Sequence, residues 1–258
     1  MYLDFGSAAG ILKRGKTGMI LKVMGATFCA VLFFATFVSA QIPNQLALDF
    51  VAGEPPSVED VAQYEKDAAA HPSDLRAVRK LGKAYFFRFF GAGEMSFAPK
   101  SQKTLEQALA IMKDDAETLA YLGSLHVLRG LRIEKGDAAK QKASFEKGFE
   151  ILKLAEKLGP THGAVISIAS ASYLWLPDSF GMAPHVIEML EGMRKAMGPY
   201  FQKFAHHGQQ RLLLTLGQAY VKTSQPAKAQ PLFEEALAIN GTSREAGYLR
   251  AELSKLKE

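Results

Sequence analysis

A small residue followed three positions later by a ring side chain recurs four times along this chain. Bulky apolar residues fall every three or four positions around each copy, a period that predicts amphipathic helices. A side chain no larger than methyl at a fixed place in such helices indicates that two helix backbones approach closely there. The copies are Gly82 with Tyr85, Gly123 with His126, Ser170 with Tyr173, and Gly217 with Tyr220.

The fourth copy resembles the tetratricopeptide repeat, a helix–turn–helix unit of about 34 residues. The residues that match its signature are Leu213, Leu216, Gly217, Tyr220, Ala229, Phe233 and Ala236. The resemblance spans about residues 75–243 and implies an all-α, right-handed α-solenoid of about four helix pairs, with a capping helix at each end. It also implies close packing at the small residues Gly82, Gly123, Ser170, Gly217, Ala108, Ala155, Ala196 and Ala236.

The first three repeats carry extra residues between their own two helices. Insertions at equivalent points of stacked repeats emerge along one edge of a solenoid, which is often the binding edge. The first and third insertions are aromatic and contain Phe97, Trp175 and Phe180. Two interpretations stay open: these rings form a pocket or lid for a partner, or they pack on one another as a satellite core.

The resemblance also implies a concave groove lined by the first helix of each pair. A groove that is basic at one end fits an acidic or carboxylate-bearing segment of a partner protein. A solvated cationic helix face is the alternative interpretation. The family's groove positions fall on Arg76, Arg79, Lys83 and Phe86 in the first repeat, and on Arg211 and Gln218 in the fourth.

Residues 1–40 are expected to be a signal peptide, because basic residues precede the apolar run 23–38 and small residues precede Gln41. An uncleaved membrane anchor is the alternative. Residues 41–56 are expected to be a linker, and 57–258 the repeat domain. The predicted location is therefore periplasmic or extracellular. Cys29, the only cysteine, lies inside the signal, so the mature chain would have neither disulfides nor a thiol nucleophile.

The sequence predicts no catalytic residue, metal site or cofactor, and no basic patch for nucleic acid. His185 and Glu188 have a spacing that places them on one helix face, but two ligands do not define a metal site. The predicted function is a non-enzymatic protein-binding or assembly scaffold of the cell envelope. The alternative is an envelope protein that binds a small molecule and resembles the T component of TRAP transporters. An enzyme is a third hypothesis, which only the unexplained histidines support.

Overall fold

The computed structural model describes residues 55–256 of the 258-residue chain. The predicted signal peptide and most of the predicted linker lie outside the described residues. Between 55 and 256 the chain forms ten α-helices, two short 3-10 helices and no strand. The helices are α1 Val58–Ala70, α2 Leu75–Gly91, α3 Phe97–Ile111, α4 Ala116–Arg132, α5 Ala138–Leu158, α6 Gly163–Trp175, α7 Ala183–Met197, α8 His206–Lys222, α9 Pro226–Ile239 and α10 Arg244–Lys255.

The helices pack as four successive antiparallel pairs, α2 with α3, α4 with α5, α6 with α7, and α8 with α9. The first helix of each pair also contacts the first helix of the next pair. Helix α1 packs on α2 at one end, and α10 packs on α8 and α9 at the other. This arrangement confirms the predicted all-α solenoid of helix pairs with a capping helix at each end.

Side-chain caps fix where several of these helices begin. Ser57 and Asp60 form a reciprocal capping box at the start of α1, in which each side chain accepts a hydrogen bond from the other residue's backbone N–H at 3.0 Å. Asp115 caps α4 by accepting the Thr118 N–H at 3.0 Å. Ser243 caps α10 in the same way through the Ala246 N–H at 3.1 Å. These caps therefore define where the two capping helices and the first helix of the second pair begin.

Three of the recurring glycines lie where the two helices of a pair touch. A methyl group added at Gly82 would stand 2.8 Å from Leu105, and one added at Gly217 would stand 2.2 Å from the Phe233 ring. Gly123 faces a second glycine, Gly148, and a methyl group on either would stand 3.0 Å or less from the carbonyl oxygen of the other. Ser170 is fully buried at the corresponding place in α6. Ala108, Ala155 and Ala236 are also fully buried, on the second helices.

The third repeat differs from the sequence-based alignment. Ala196, predicted to pack between helices, is exposed in the structure. The buried residues of α7 are instead Val186, Leu190, Met193 and Met197. The spacing of the second helices elsewhere, such as Ser101, Leu105 and Ala108, places Val186, Leu190 and Met193 in the equivalent positions. The prediction was wrong by three residues because it required a small residue where Met193 fills the contact.

The ring residues hold each repeat to the helix before it. In three repeats the phenol of the recurring tyrosine donates a hydrogen bond to a glutamate of the preceding helix, and burial together with this bond raises the pKa of Tyr220 to about 12. These phenols therefore stay protonated and remain donors at neutral pH. The pairs are Tyr85 with Glu65, Tyr173 with Glu156, and Tyr220 with Glu191.

Replacing Gly217 by alanine tests the close crossing of α8 and α9. The added methyl group would overlap Phe233, which is fully buried and cannot swing aside, so we expect the free energy of unfolding to fall by about 1–3 kcal/mol. Gly192→Ala is the matched control, because Gly192 lies inside α7 and nothing stands within 4 Å of a methyl group there. This control should gain about 0.5–1 kcal/mol from the lower flexibility of the unfolded chain. Urea unfolding measures both, and equal effects of the two changes would contradict the assignment.

The buried His126 should make the free energy of unfolding depend on pH. Burial, with smaller contributions from Lys147 and Arg129, lowers its pKa from 6.5 to about 4. Because the unfolded chain binds the proton more tightly, stability is constant above pH 6.5 and falls as the pH decreases from 6.5 towards 4, by up to about 3 kcal/mol. Urea unfolding at pH 7 and pH 4.5 should show a smaller difference for His126→Phe than for the natural chain. An unchanged difference would assign the acid sensitivity to other groups.

Candidate functional site

The first helices of the four pairs and the capping helix α10 face a common cavity of about 320 Å³. Each of these five helices contributes lining residues, and Pro55 closes one corner. The concave face therefore contains a partly open hollow, which five helices line.

Aromatic and aliphatic side chains form most of the cavity wall. The rings of Phe90 and Trp175 lie 5.2 Å apart, and Phe87 stands beside them. These three rings pack with their inner edges on the buried core of α2–α4 and turn their remaining surface to the cavity. The aliphatic part of the wall consists of Leu128, Leu131, Leu174 and Leu214.

Three arginines line the cavity, and two of them are engaged by the end of α2. Arg132 Nη1 donates to the carbonyl oxygens of Phe89 and Phe90, each at 3.0 Å. Arg244 Nη2 lies 3.4 Å from the carbonyl oxygen of Gly91. These carbonyls have no acceptor role inside α2, because they belong to its last turn. The contacts join the end of the first repeat to the second repeat and to the last helix.

Arg211 is the third arginine of the cavity, and it has a different environment. Its guanidinium lies 5.6 Å from the centre of the Phe90 ring, a stacking arrangement that leaves its N–H groups unused. Between residues 55 and 256 its side chain has neither a hydrogen bond nor an ion pair within 4 Å. Burial lowers the pKa of Arg211, and the negative charge of Glu245, another residue of the cavity wall, opposes that shift.

The basic end predicted for the groove is neutralised within the chain. Arg79 Nη1 lies 2.8 Å from Asp115 and its Nε lies 3.3 Å from Glu117, while Lys83 forms an ion pair with the same glutamate. Burial raises the pKa of Asp115, but hydrogen bonds from Thr118 and Arg79 outweigh it and hold the pKa below its usual value. These cations thus tie α2 to α4 and do not form a free basic surface.

Two other groove predictions for the first repeat also need correction. Phe86 is buried in the core, where its ring lies 5.2 Å from that of Tyr121. Arg76 is exposed and lines a shallow depression beside Tyr64 and His71, away from the cavity. By contrast, Arg211 and Gln218 of the fourth repeat do line the cavity.

Of the aromatic insertion residues, some pack as a satellite core and one lines the cavity. The first one lengthens α2 to Gly91, so its phenylalanines are helical. Phe97 packs on Tyr85 at 5.6 Å between ring centres, and Phe180 packs on Phe149 at 5.2 Å, as expected for satellite cores. Trp175 alone of the three predicted insertion residues lines the cavity.

Sequence reasoning missed the cavity residues of the first two repeats. It assigned the same positions relative to the glycine in every repeat, whereas the lining residues move along successive helices. They lie near the C-terminal ends of α2 and α4, in the middle of α8, and near the N-terminal end of α10. Each repeat is rotated relative to the one before it, so a different part of each first helix faces the cavity. Positions counted from the glycine therefore do not predict the lining residues of every repeat. The aromatic run ending at Phe90 was the sequence signal for this wall.

The histidine motif singled out in the sequence is used structurally. His185 Nε2 lies 2.7 Å from Glu156, the same carboxylate that accepts the Tyr173 phenol at 3.0 Å, whereas Glu188 lies 4.0 Å from Nδ1. Among the described residues no group of three or more His, Cys, Asp or Glu side chains is placed to hold a metal ion. Nor does any helix in this part of the chain have the length and apolar character to cross a bilayer.

No protein-family model matches the chain, and no curated protein matches it. A crystal structure of MamA aligns with 70% of this chain and 86% of its own, at 19% sequence identity and a TM-score of 0.43. A second structure, of MamA protein, aligns with 83% and 95% respectively, at 18% identity and a TM-score of 0.42. Similarities this low support no functional inference, so the resemblance to tetratricopeptide repeats rests on the chain's own helix pairs.

Removing the Glu117 charge tests whether the basic residues of α2 are structural. Glu117 is buried and bridges Arg79 and Lys83, so Glu117→Gln should lower the free energy of unfolding by about 1–3 kcal/mol. Glu146→Gln is the control, because its ion pair with Lys142 is exposed and 3.7 Å long, and it should change stability by less than about 0.5 kcal/mol. Thermal and urea unfolding measure both. A Glu117 variant as stable as its control would leave the two cations available for a partner.

Proposed function

We propose that this protein is a non-enzymatic binding protein of the cell envelope, and that its concave cavity holds a small apolar molecule. The observation that carries the proposal is the cavity itself, a hollow of about 320 Å³ walled mainly by aromatic and leucine side chains with a few convergent polar groups. Ligand-binding pockets in proteins have this composition and volumes of roughly 300–1,000 Å³.

The contact between α10 and the end of α2 favours a small molecule over an extended peptide. A peptide groove of stacked repeats has open ends, whereas here Arg244 of the last helix reaches the carbonyl end of α2. The acidic partner segment expected from the sequence also loses its support, because Asp115 and Glu117 already neutralise Arg79 and Lys83. Of the two binding functions considered from the sequence, the small-molecule alternative therefore fits the geometry better.

A protein-binding scaffold is the second candidate function, and one observation favours it. Tyr248 lines the mouth of the cavity on α10 and is 53% exposed. Tyrosine is enriched in protein interfaces, because its ring gives a large contact area and its hydroxyl tolerates water. A partner protein seated on this rim would cover the cavity and receive or deliver its contents.

The envelope location rests on the sequence of residues 1–40. Its basic start, the apolar run 23–38 and the small residues before Gln41 support export by a cleavable signal. N-terminal sequencing of the protein recovered from an envelope fraction tests this location. A chain that begins at Gln41 supports it, and an intact N-terminus in the cytosolic fraction would contradict it.

Filling the cavity tests the binding function. The neutral apolar fluorophore N-phenyl-naphthylamine should bind the natural chain, and its emission should be excited through Trp175, the only tryptophan, which lines the cavity. Ala171→Phe places a ring in the hollow and should abolish this signal while thermal stability is kept, because Ala171 faces the cavity and is not fully buried. Ala196→Phe, at an exposed alanine of α7, is the matched control and should leave binding unchanged. Binding that survives Ala171→Phe, or no binding by the natural chain, would refute the cavity as the site.

A further inference from the structure

The charge of Arg211 is the feature of the cavity that the proposed function leaves unexplained. A guanidinium has five N–H donors and no acceptor, and Arg211 is half-buried, so an acceptor that faces those donors inside the cavity would bind it strongly. The other two cavity arginines each use some of their donors on carbonyl oxygens of α2, Arg132 at 3.0 Å and Arg244 at 3.4 Å. Arg211 stacks on Phe90 and has no hydrogen-bonded partner in the described part of the chain. An acceptor from outside the protein would complete its coordination.

The surroundings of Arg211 restrict the chemistry of that acceptor. Phe90 and Leu214 leave apolar surface next to the guanidinium, so the anionic group must be attached to an apolar body. Among the described residues that line the cavity, Arg211 is the arginine without a hydrogen-bonded partner, and Glu245, another lining residue, adds a negative charge that acts on it. A singly charged group with two coplanar oxygens matches one guanidinium, whereas a phosphate dianion would need further donors and would be repelled by Glu245.

On these grounds, and resting on the proposed function, we infer that Arg211 binds the carboxylate of a small apolar monocarboxylic acid whose hydrocarbon part lies against Phe90 and Trp175. The two oxygens accept the guanidinium N–H groups, and the cation–π contact with Phe90 keeps the arginine oriented towards the hollow. The acid binds and leaves unchanged.

Competition between a carboxylate and its uncharged analogue tests this inference without any mutation. Decanoate and decanol have the same hydrocarbon chain, so both should displace N-phenyl-naphthylamine if the cavity takes apolar molecules. If Arg211 holds the carboxylate, decanoate should do so at a concentration about 10- to 100-fold lower, the gain expected from a charge-assisted hydrogen-bonded pair. Equal potency of the two would overturn the inference and leave the proposed function standing. Failure of the fluorophore and of both competitors to bind would refute the proposed function as well.

Substitutions then test whether the preference for decanoate over decanol depends on Arg211. Arg211→Met keeps the length and apolar stem of the side chain, and it should remove the preference for decanoate while binding of the fluorophore persists. Arg76→Met is the matched control, an exposed arginine of α2 outside the cavity, and it should keep the preference. Glu245→Gln removes the opposing charge and should tighten decanoate binding several-fold with no effect on decanol. A preference unchanged in Arg211→Met would overturn the assignment.

The occupant could instead be an acidic side chain of a partner protein, and one more competitor separates the two. A blocked peptide of leucines with a single glutamate offers the same chemistry from a protein source. Displacement by this peptide at concentrations well below those of decanoate would overturn the inference of a small acid. Weaker displacement by the peptide would support it.

Discussion

The structure depends on helix backbones that approach too closely for side chains to intervene. Gly123 and Gly148 face each other across α4 and α5 with no room for a methyl group on either, and Gly217 lies directly under the Phe233 ring. Such contacts fix how the two helices of a pair cross, because a different angle would force overlap or open a void. Each helix pair is thus a rigid unit, and its crossing geometry is set by glycines that have no side chain.

Stacking these units determines where the cavity lies. The buried phenols of Tyr173 and Tyr220 hold α6 and α8 to the preceding pair, and along the stack α10 comes beside the end of α2. At that end the last carbonyls of α2 need donors, and Arg132 and Arg244 supply them from later repeats. The same contacts that satisfy a helix terminus therefore close the concave face into a hollow.

The fold could be predicted from the sequence because its determinants recur at near-regular spacing. Small residues, rings and apolar periodicity lie within single helix pairs, so a pattern search finds them. The cavity could not be predicted in this way, because its wall depends on the angle between repeats. That angle decides which of two adjacent residues faces the cavity: Phe86 is buried in the core, whereas Phe87 lines the cavity. In α7 the same search failed by three residues, since Met193 replaces the small side chain that it required.

Whether a given arginine is paired within the chain was the least predictable feature of the site. Arg79 and Arg211 both fall on predicted groove positions of first helices, one helical turn apart relative to the small residue of each repeat, but a solenoid brings each to different neighbours. Arg79 meets Asp115, a residue that already caps the next helix, whereas Arg211 meets the Phe90 ring and the charge of Glu245. A sequence shows both as cations on a groove face. Only the stacking decides that Arg79 becomes a structural tie while the donors of Arg211 face the cavity, so charge counts along a repeat protein cannot by themselves identify its partner.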